Sequence, residues 1–161
     1  MNPFPASATV PLTMVAALGS AVVGGVLFAF SAFVMDALGR LPPDRAVEAM
    51  RSINDRAPTP SFMLAMFGTA VTACLVAAGG LSRLEESSGQ LAVAGAIAYL
   101  ASLAITMVFH VPANDRLART PVGDDHVEAW ARYARPWTLG NHVRAGLAIA
   151  AAALFVAALV A

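Results

Sequence analysis

The sequence predicts an all-α membrane protein: a bundle of four transmembrane helices with two short amphipathic helices in the connections at one end. The first observation is composition, since 58% of the 161 residues are hydrophobic and only 12% are charged, whereas soluble domains carry about 25% charged residues. The second is that long uncharged tracts alternate with short charged segments. The third is that the arginines gather at one predicted membrane face. Residues 1–161 are therefore expected to form a single integral membrane domain.

Four hydrophobic segments are long enough to span a bilayer, which requires about 20 predominantly apolar residues. They lie at 11–38, 60–82, 89–111 and 138–160. The last uncharged tract, 145–161, has only 17 residues, so the fourth span must also include Asn141, His142 and Arg144. The start of the chain lacks the positive charge that opens a signal peptide, so the first segment is expected to be a retained span.

Charge placement predicts the orientation. Nine of the ten arginines lie in or beside the two long connections, 40–59 and 112–137, and we call this face the arginine-rich end. Because loops rich in basic residues stay cytoplasmic, both connections are expected in the cytosol and both termini on the opposite side of the plasma or inner membrane. The formal net charge is zero, which favours the lipid bilayer and not nucleic acid as a partner.

Each long connection is predicted to contain a short amphipathic helix that lies over the bundle. The first covers 43–55, with apolar residues on one side and charges mostly on the other. The second begins at Asp125 and Glu128, which resemble a capping box, and continues until Pro136 interrupts it.

Two patterns predict how the spans pack. In the first span, small residues recur every fourth position and allow a neighbouring backbone to approach closely; they are Ala17, Ala21, Gly25 and Ala29. In the third span, polar residues form one stripe on one face, namely Tyr99, Ser102, Thr106 and His110. Such a stripe serves either hydrogen bonding between helices or as the polar wall of a site inside the bundle.

A candidate site lies where the fourth span begins. Trp137, Asn141 and Arg144 are spaced i, i+4 and i+7, so they share one helix face. An ionisable residue at the hydrocarbon edge is a functional-site candidate, and the alternative is an arginine that extends to lipid phosphate. Trp130, Tyr133 and Trp137 are either interfacial anchors or flat walls for a planar ligand.

Two histidines, His110 and His142, are expected in the same leaflet. The pair is open to several interpretations: interfacial hydrogen-bonding groups, a metal pair, axial haem ligands or an acid–base pair. No metal-ligand spacing connects them, and no thiolate or carboxylate partner lies nearby in sequence. We therefore expect no metal and no cofactor.

Several strings of the sequence resemble the anthrone oxygenase family of small membrane proteins, over about residues 13–160. They are GGVLFAFSAFVMDALGRL (24–41), AMRSIN (49–54), PSFMLAMFGTA (60–70), HVPANDRLA (110–118) and WARYARPWTLGNHVRA (130–145). The most specific part is the pattern W-x2-Y-x3-WT-x2-NHVR. The resemblance implies a four-helix membrane bundle and, from characterised fungal relatives, oxidation of anthrones to anthraquinones without metal or flavin. Family members usually carry Asn where this chain has His110.

The resemblance also implies which residues are functional: Asn54, Asn114, Trp130, Trp137, Asn141, His142 and Arg144. A deprotonated anthrone reacts directly with oxygen, so the protein needs a base, a holder for the developing oxyanion and a dry aromatic slot. We expect His142 as the base, with Arg144 and Asn141 stabilising the enolate oxygen. The expected substrate is an apolar planar aromatic or quinol-type molecule, which would contact Trp130, Trp137, Tyr133, Asn54, Asn114 and His110.

Two other functions stay open from the sequence. The first is a non-enzymatic binding or accessory membrane protein, in which the polar residues merely tie the connections to the bundle. The second is a haem protein with His110 and His142 as axial ligands.

Overall fold

The computed structural model describes residues 6–120 and 126–161, and these residues form five helices. They are α1 (Ala8–Gly39), α2 (Pro43–Arg56), α3 (Pro60–Leu81), α4 (Ser87–Ala118) and α5 (His126–Val160). All except α2 are long and apolar enough to cross a bilayer, which confirms the all-helical fold with four spans. Asp125, the predicted capping residue, lies outside the described residues.

The four long helices form an up-and-down bundle. Helix α5 packs most extensively on α1 and α4, α4 also packs on α3, and α3 closes the square against α1. Consecutive spans run antiparallel because each connection starts and ends at the same end of the bundle.

Small residues lie inside the bundle and large aliphatic residues lie on its surface, as expected for a protein in lipid. Alanines fill the interior between the helices, whereas large aliphatic side chains face outward, among them Leu18, Leu64, Val71, Ile97 and Val108. In a bilayer the tails solvate aliphatic side chains as well as a protein core does, so helices associate through small residues that let their backbones come close. This distribution follows from the membrane environment.

The predicted small-residue seam of α1 is in the wrong register. Ala17 is buried, but Ala21 and Gly25 are exposed, and a Cβ atom added to Gly25 would meet nothing within 4 Å. The close approaches are at Gly19 and Gly24, where an added Cβ would lie 1.9 Å from Thr69 Oγ1 of α3 and 3.0 Å from Ile149 Cγ1 of α5. Spacing identified a helix that packs closely, but the small residues of α1 occupy several faces and only the partner helix selects one.

Three of the spans contain a π-helical segment toward the arginine-rich end: Phe30–Val34 in α1, Leu64–Gly68 in α3 and Thr106–His110 in α4. A π segment interrupts the regular i to i−4 hydrogen bonding and is common at functional sites. Side chains donate hydrogen bonds to backbone carbonyl oxygens in or next to these segments. Tyr99 Oη donates to Met66 O at 2.8 Å, and Asn141 Nδ2 donates to Leu27 O at 2.8 Å.

The second connection differs from the prediction. Helix α4 does not end near residue 111; it runs through Pro112 to Ala118, with a π segment directly before the proline. Helix α5 begins at His126 and passes through Pro136 without a break, so the predicted second amphipathic helix is not a separate element. Proline is tolerated inside membrane helices because the carbonyl that it frees finds other donors.

Helix α2 occupies the first connection and lies across the arginine-rich end of the bundle. It begins with a proline in its first turn and buries Ala46, Val47 and Met50 against the ends of α1, α4 and α5. Arg51 fastens α2 to the end of α4, because its guanidinium donates to the carbonyl oxygens of Leu117 and Thr120. This helix therefore forms part of the roof over the bundle interior.

Gly89, in the first turn of α4, packs tightly against the end of α3 and the connection that follows it, and it supports a stability prediction. A Cβ atom there would lie 2.1 Å from the carbonyl oxygen of Arg83 and 2.9 Å from that of Gly80. Because both contacts are backbone atoms, Gly89→Ala should lower the free energy of unfolding by about 1–3 kcal/mol, as measured by SDS titration in mixed micelles. Gly146→Ala is the control, since nothing lies within 4 Å of an added Cβ. Equal stability of both variants would contradict the close approach.

Candidate functional site

A cavity of about 370 Å³ lies inside the bundle near the arginine-rich end, within the size range of small-molecule sites. Side chains of α1 and α4 form its two long walls, α5 contributes Trp137 and Arg144 at the back, and the beginning of α3 lies in front. Its apolar lining includes Val23, Leu27, Phe30, Phe62, Met66 and Leu103. The cavity is thus an apolar chamber with a few polar groups at defined places.

Arg51 and Arg144 both line the cavity; the Arg51 guanidinium donates to backbone carbonyls, whereas Arg144 is the buried cation of the back wall. The Arg144 side chain is buried, Nε donates to Asn141 Oδ1 at 2.9 Å, and Nη1 donates to Thr106 Oγ1 at 3.2 Å. The guanidinium carbon lies 5.2 Å from the ring centroid of Trp137, which gives a cation–π contact. Within residues 6–120 and 126–161, no carboxylate lies at ion-pairing distance from Arg144.

Asn141 holds Arg144 in position and has no exposed surface. Its amide nitrogen donates to Leu27 O and to Ser31 Oγ, both at 2.8 Å, while its amide oxygen accepts the Nε hydrogen bond of Arg144. Ser31 lies in the π segment of α1. The Asn141 side chain therefore connects the π segment of α1 to the guanidinium group of Arg144. It lies behind the cavity wall and does not line the cavity.

Asn114 is at the centre of a second hydrogen-bonded network, at the arginine-rich end. Its Oδ1 accepts hydrogen bonds from Tyr133 Oη at 2.8 Å and from Trp137 Nε1 at 2.9 Å. Tyr133 Oη in turn accepts one from Asn54 Nδ2 at 3.4 Å. The chain of bonds joins α2, α4 and α5 and fixes the indole of Trp137 at the cavity wall.

His110 lies behind Trp137 and does not line the cavity. It is 1% exposed, its ring packs edge-on against the Trp137 ring with centroids 5.1 Å apart, and its Nε2 is 3.2 Å from Trp137 O. Its Nδ1 is 3.3 Å from Ile105 O. Both ring nitrogens thus face backbone carbonyls, so the ring supports Trp137 from the side opposite the cavity.

The residues selected from the sequence divide into three groups. Asn54, Asn114, Trp137 and Arg144 line the cavity. Asn141, Tyr133, Trp130 and His110 are buried but do not line it. Asn141, Tyr133 and His110 contact residues that do, whereas Trp130 packs against Tyr133. His142 is exposed on another face of α5. The structure therefore does not bring the predicted base to the cavity.

The polar stripe of α4 both forms hydrogen bonds between helices and lines the cavity. Ser102 Oγ donates to Arg144 O at 2.8 Å, and Tyr99 Oη donates to Met66 O, so the stripe does join helices. Tyr99, Ser102 and Thr106 also line the cavity. The same side chains tie the bundle together and make one wall of the chamber polar.

The histidines are not arranged as a ligand pair. His110 is buried with both ring nitrogens near carbonyl oxygens, whereas His142 is exposed. Among residues 6–120 and 126–161, no group of three or more His, Cys, Asp or Glu side chains is placed to hold a metal ion. This geometry gives the haem interpretation no support.

The sequence did not identify several cavity residues. Phe30 packs against Trp137 with ring centroids 5.6 Å apart, and nothing in the pattern of α1 distinguishes it from its apolar neighbours. Asp55 and Asp115 line the mouth of the cavity beside Asn54 and Asn114. Their only signal was adjacency to the two asparagines that the family resemblance had singled out.

Comparison with known protein families places the chain beside one of them. The family model described as anthrone oxygenase matches residues 59–154, which is more than half of the chain and includes Asn114, Trp137, Asn141 and Arg144. Helices α1 and α2, and with them Asn54, lie outside the matched region. No curated protein and no solved structure matches the chain.

Proposed function

Because the chain belongs to the anthrone oxygenase family, we propose that its cavity binds a planar aromatic ketone of the anthrone type and promotes its oxidation by O2. The proposal places the carbonyl oxygen of the substrate next to Arg144 and the fused rings along the apolar walls. By the charge distribution of the connections, the mouth of the cavity faces the cytosol.

The observation that carries this proposal is a buried cation with no anion beside it. A charged side chain within a membrane protein is costly and is normally paired, yet the described residues place no carboxylate next to Arg144. An enolate oxygen would provide that partner. Since the charge on oxygen develops only as the substrate loses a proton, Arg144 would favour the enolate over the neutral ketone, which is the requirement for catalysis.

The proposed reaction conserves atoms and electrons. A base removes one methylene proton, and the resulting enolate, held at oxygen by Arg144, transfers two electrons to O2 as a carbon–oxygen bond forms. Protonation gives a hydroperoxide at that carbon. Loss of the second hydrogen as a proton breaks the oxygen–oxygen bond, forms the new carbonyl and releases water. One O2 is reduced for each anthrone oxidised to anthraquinone.

We assign the proton transfer to the carboxylates of Asp55 and Asp115 instead of His142. Both aspartates line the mouth of the cavity, and they lie on α2 and α4, which Arg51 holds together. A base must come within hydrogen-bonding reach of the proton that it removes, and His142 does not line the cavity.

The double variant Asp55→Asn/Asp115→Asn should lower oxygen-dependent anthrone turnover by about 10²-fold or more, the usual contribution of a positioned base. The measurement is oxygen consumption together with anthraquinone absorbance, using protein in nanodiscs. His142→Ala is the matched control and should leave the rate within about twofold, since a surface change away from the site has little effect.

The results of this experiment separate the candidate functions. Loss of activity in His142→Ala with normal activity in the aspartate variant would reverse our assignment of the base. If the wild-type protein bound anthraquinone but consumed no oxygen when anthrone was added, the result would instead indicate the binding or accessory role.

A further inference from the structure

The cavity is closed unevenly on its four sides. At the back, α5 packs extensively on both α1 and α4, whereas α3 packs over a smaller area on α1, and its first turn, Pro60–Met63, makes no extensive contact with α1 or α4. The cavity reaches into this looser region, since Phe62 and Met63 of α3 form part of its lining. The front of the cavity is therefore closed by side chains more than by contacts between helices.

Two valines connect the cavity to the outer surface of the bundle. Val26 of α1 and Val111 of α4 both line the cavity, yet they are 41% and 39% exposed. Both share the cavity lining with Phe62 and Met63 of α3, and both belong to helices that are long and apolar enough to cross the bilayer. Together with Phe62 and Met63 they form an apolar border, which we call the lateral portal.

The exposed lining residues at the arginine-rich end have a different character. At the arginine-rich end the cavity is bordered by exposed Asp55, Asp115 and Ala118. The lining therefore changes from apolar at the portal to charged at the mouth, with Arg144 at the back. A neutral aromatic molecule dissolved in the bilayer crosses the apolar border without loss of solvation, whereas a charged one would have to give up its water there.

We propose that the substrate reaches the cavity from within the bilayer, through the lateral portal beside the start of α3. This inference rests on the proposed function and narrows its substrate class to neutral, membrane-dissolved aromatic ketones that acquire charge only at Arg144. The aqueous mouth serves water and protons, and the ligand does not pass through it.

The test uses a monofluorinated anthraquinone as the probe, in nanodiscs, with ¹⁹F NMR measuring exchange between the lipid-dissolved and cavity-bound populations. Val26→Phe and Val111→Phe place a ring in the portal and should slow both binding and release by about tenfold, which corresponds to a barrier higher by about 1.4 kcal/mol. Because both directions are slowed, the bound fraction should stay nearly constant.

Matched controls lie one turn away on the same helices. Val22 and Val108 are exposed at 57% and 78% and do not line the cavity, so Val22→Phe and Val108→Phe should exchange at the wild-type rate. Ala118→Phe narrows the aqueous mouth and should also leave exchange unchanged. A sulfonated, water-soluble anthraquinone should not displace the probe.

Two failures are distinguishable. Slower exchange in Ala118→Phe with normal exchange in the portal variants, or displacement by the sulfonated compound, would show ligand passage through the mouth and overturn the portal. Absence of any bound probe in the wild-type protein would instead overturn the proposed aromatic site itself.

Discussion

Arg144→Met is expected to lower anthrone turnover by about 10²–10³-fold, the usual effect of removing one preorganised group that stabilises an oxyanion. Methionine retains the length and apolar surface of the side chain but removes the charge that would face the enolate. The free energy of unfolding should change by less than about 1 kcal/mol. Loss of the hydrogen bonds to Asn141 and Thr106, worth about 0.6 kcal/mol each, is offset by removal of a buried cation that no described carboxylate compensates. Turnover is followed by anthraquinone absorbance and stability by SDS titration.

Two further variants make this result specific. Arg144→Lys keeps the charge but loses the planar donor geometry that bonds Asn141 and Thr106, so it should recover only part of the activity. Arg135→Met removes an exposed arginine from the same helix and should leave turnover unaltered. Full activity of Arg144→Met would remove the main support for an enolate mechanism.

Asn141→Leu should have a large effect on stability, with a loss of about 2 kcal/mol in the free energy of unfolding. The amide makes hydrogen bonds to Leu27 O, Ser31 Oγ and Arg144 Nε, and such bonds in membrane proteins average about 0.6 kcal/mol each. Activity should fall as well, because the guanidinium loses the acceptor that orients it. SDS titration in mixed micelles measures the first effect and anthrone oxidation the second.

His142→Leu is the natural comparison, since it introduces the same side chain at the adjacent exposed position and should change neither property. Ser31→Ala removes one of the three bonds and should have about a third of the effect on stability. If Asn141→Leu proved as stable as His142→Leu, the connection between α1 and α5 would contribute nothing measurable.

Most of the bundle was predictable because hydrophobicity is a local property of the chain. The uncharged tracts located all four spans, and the proline at the start of 43–55 located α2. The two misplaced helix ends share a cause. Pro112 and Pro136 usually end helices, but α4 and α5 continue through them, because packing against the neighbouring helices outweighs the intrinsic preference of proline.

The candidate site was predictable in part. The spacing of Trp137, Asn141 and Arg144 correctly placed them on one face, because helical periodicity is independent of the partner helices. The same periodicity placed His142 on a different face, and only the packing of α5 on both α1 and α4 shows that this face is the exposed one. A spacing rule identifies residues that share a direction but does not say which direction meets a cavity.

The sequence alone determined that this chain is a four-span helical membrane protein of the anthrone oxygenase family. It also determined that the polar residues gather at one end. Hydropathy, charge placement and motifs depend only on the order of residues along the chain. The tertiary structure decided which of those residues meet. It placed Arg144 without a described carboxylate partner in an apolar chamber, Asn141 behind it and His142 outside, since contacts between helices depend on their relative rotation and on the π segments that shift it. Neither is encoded in the spacing of any single helix.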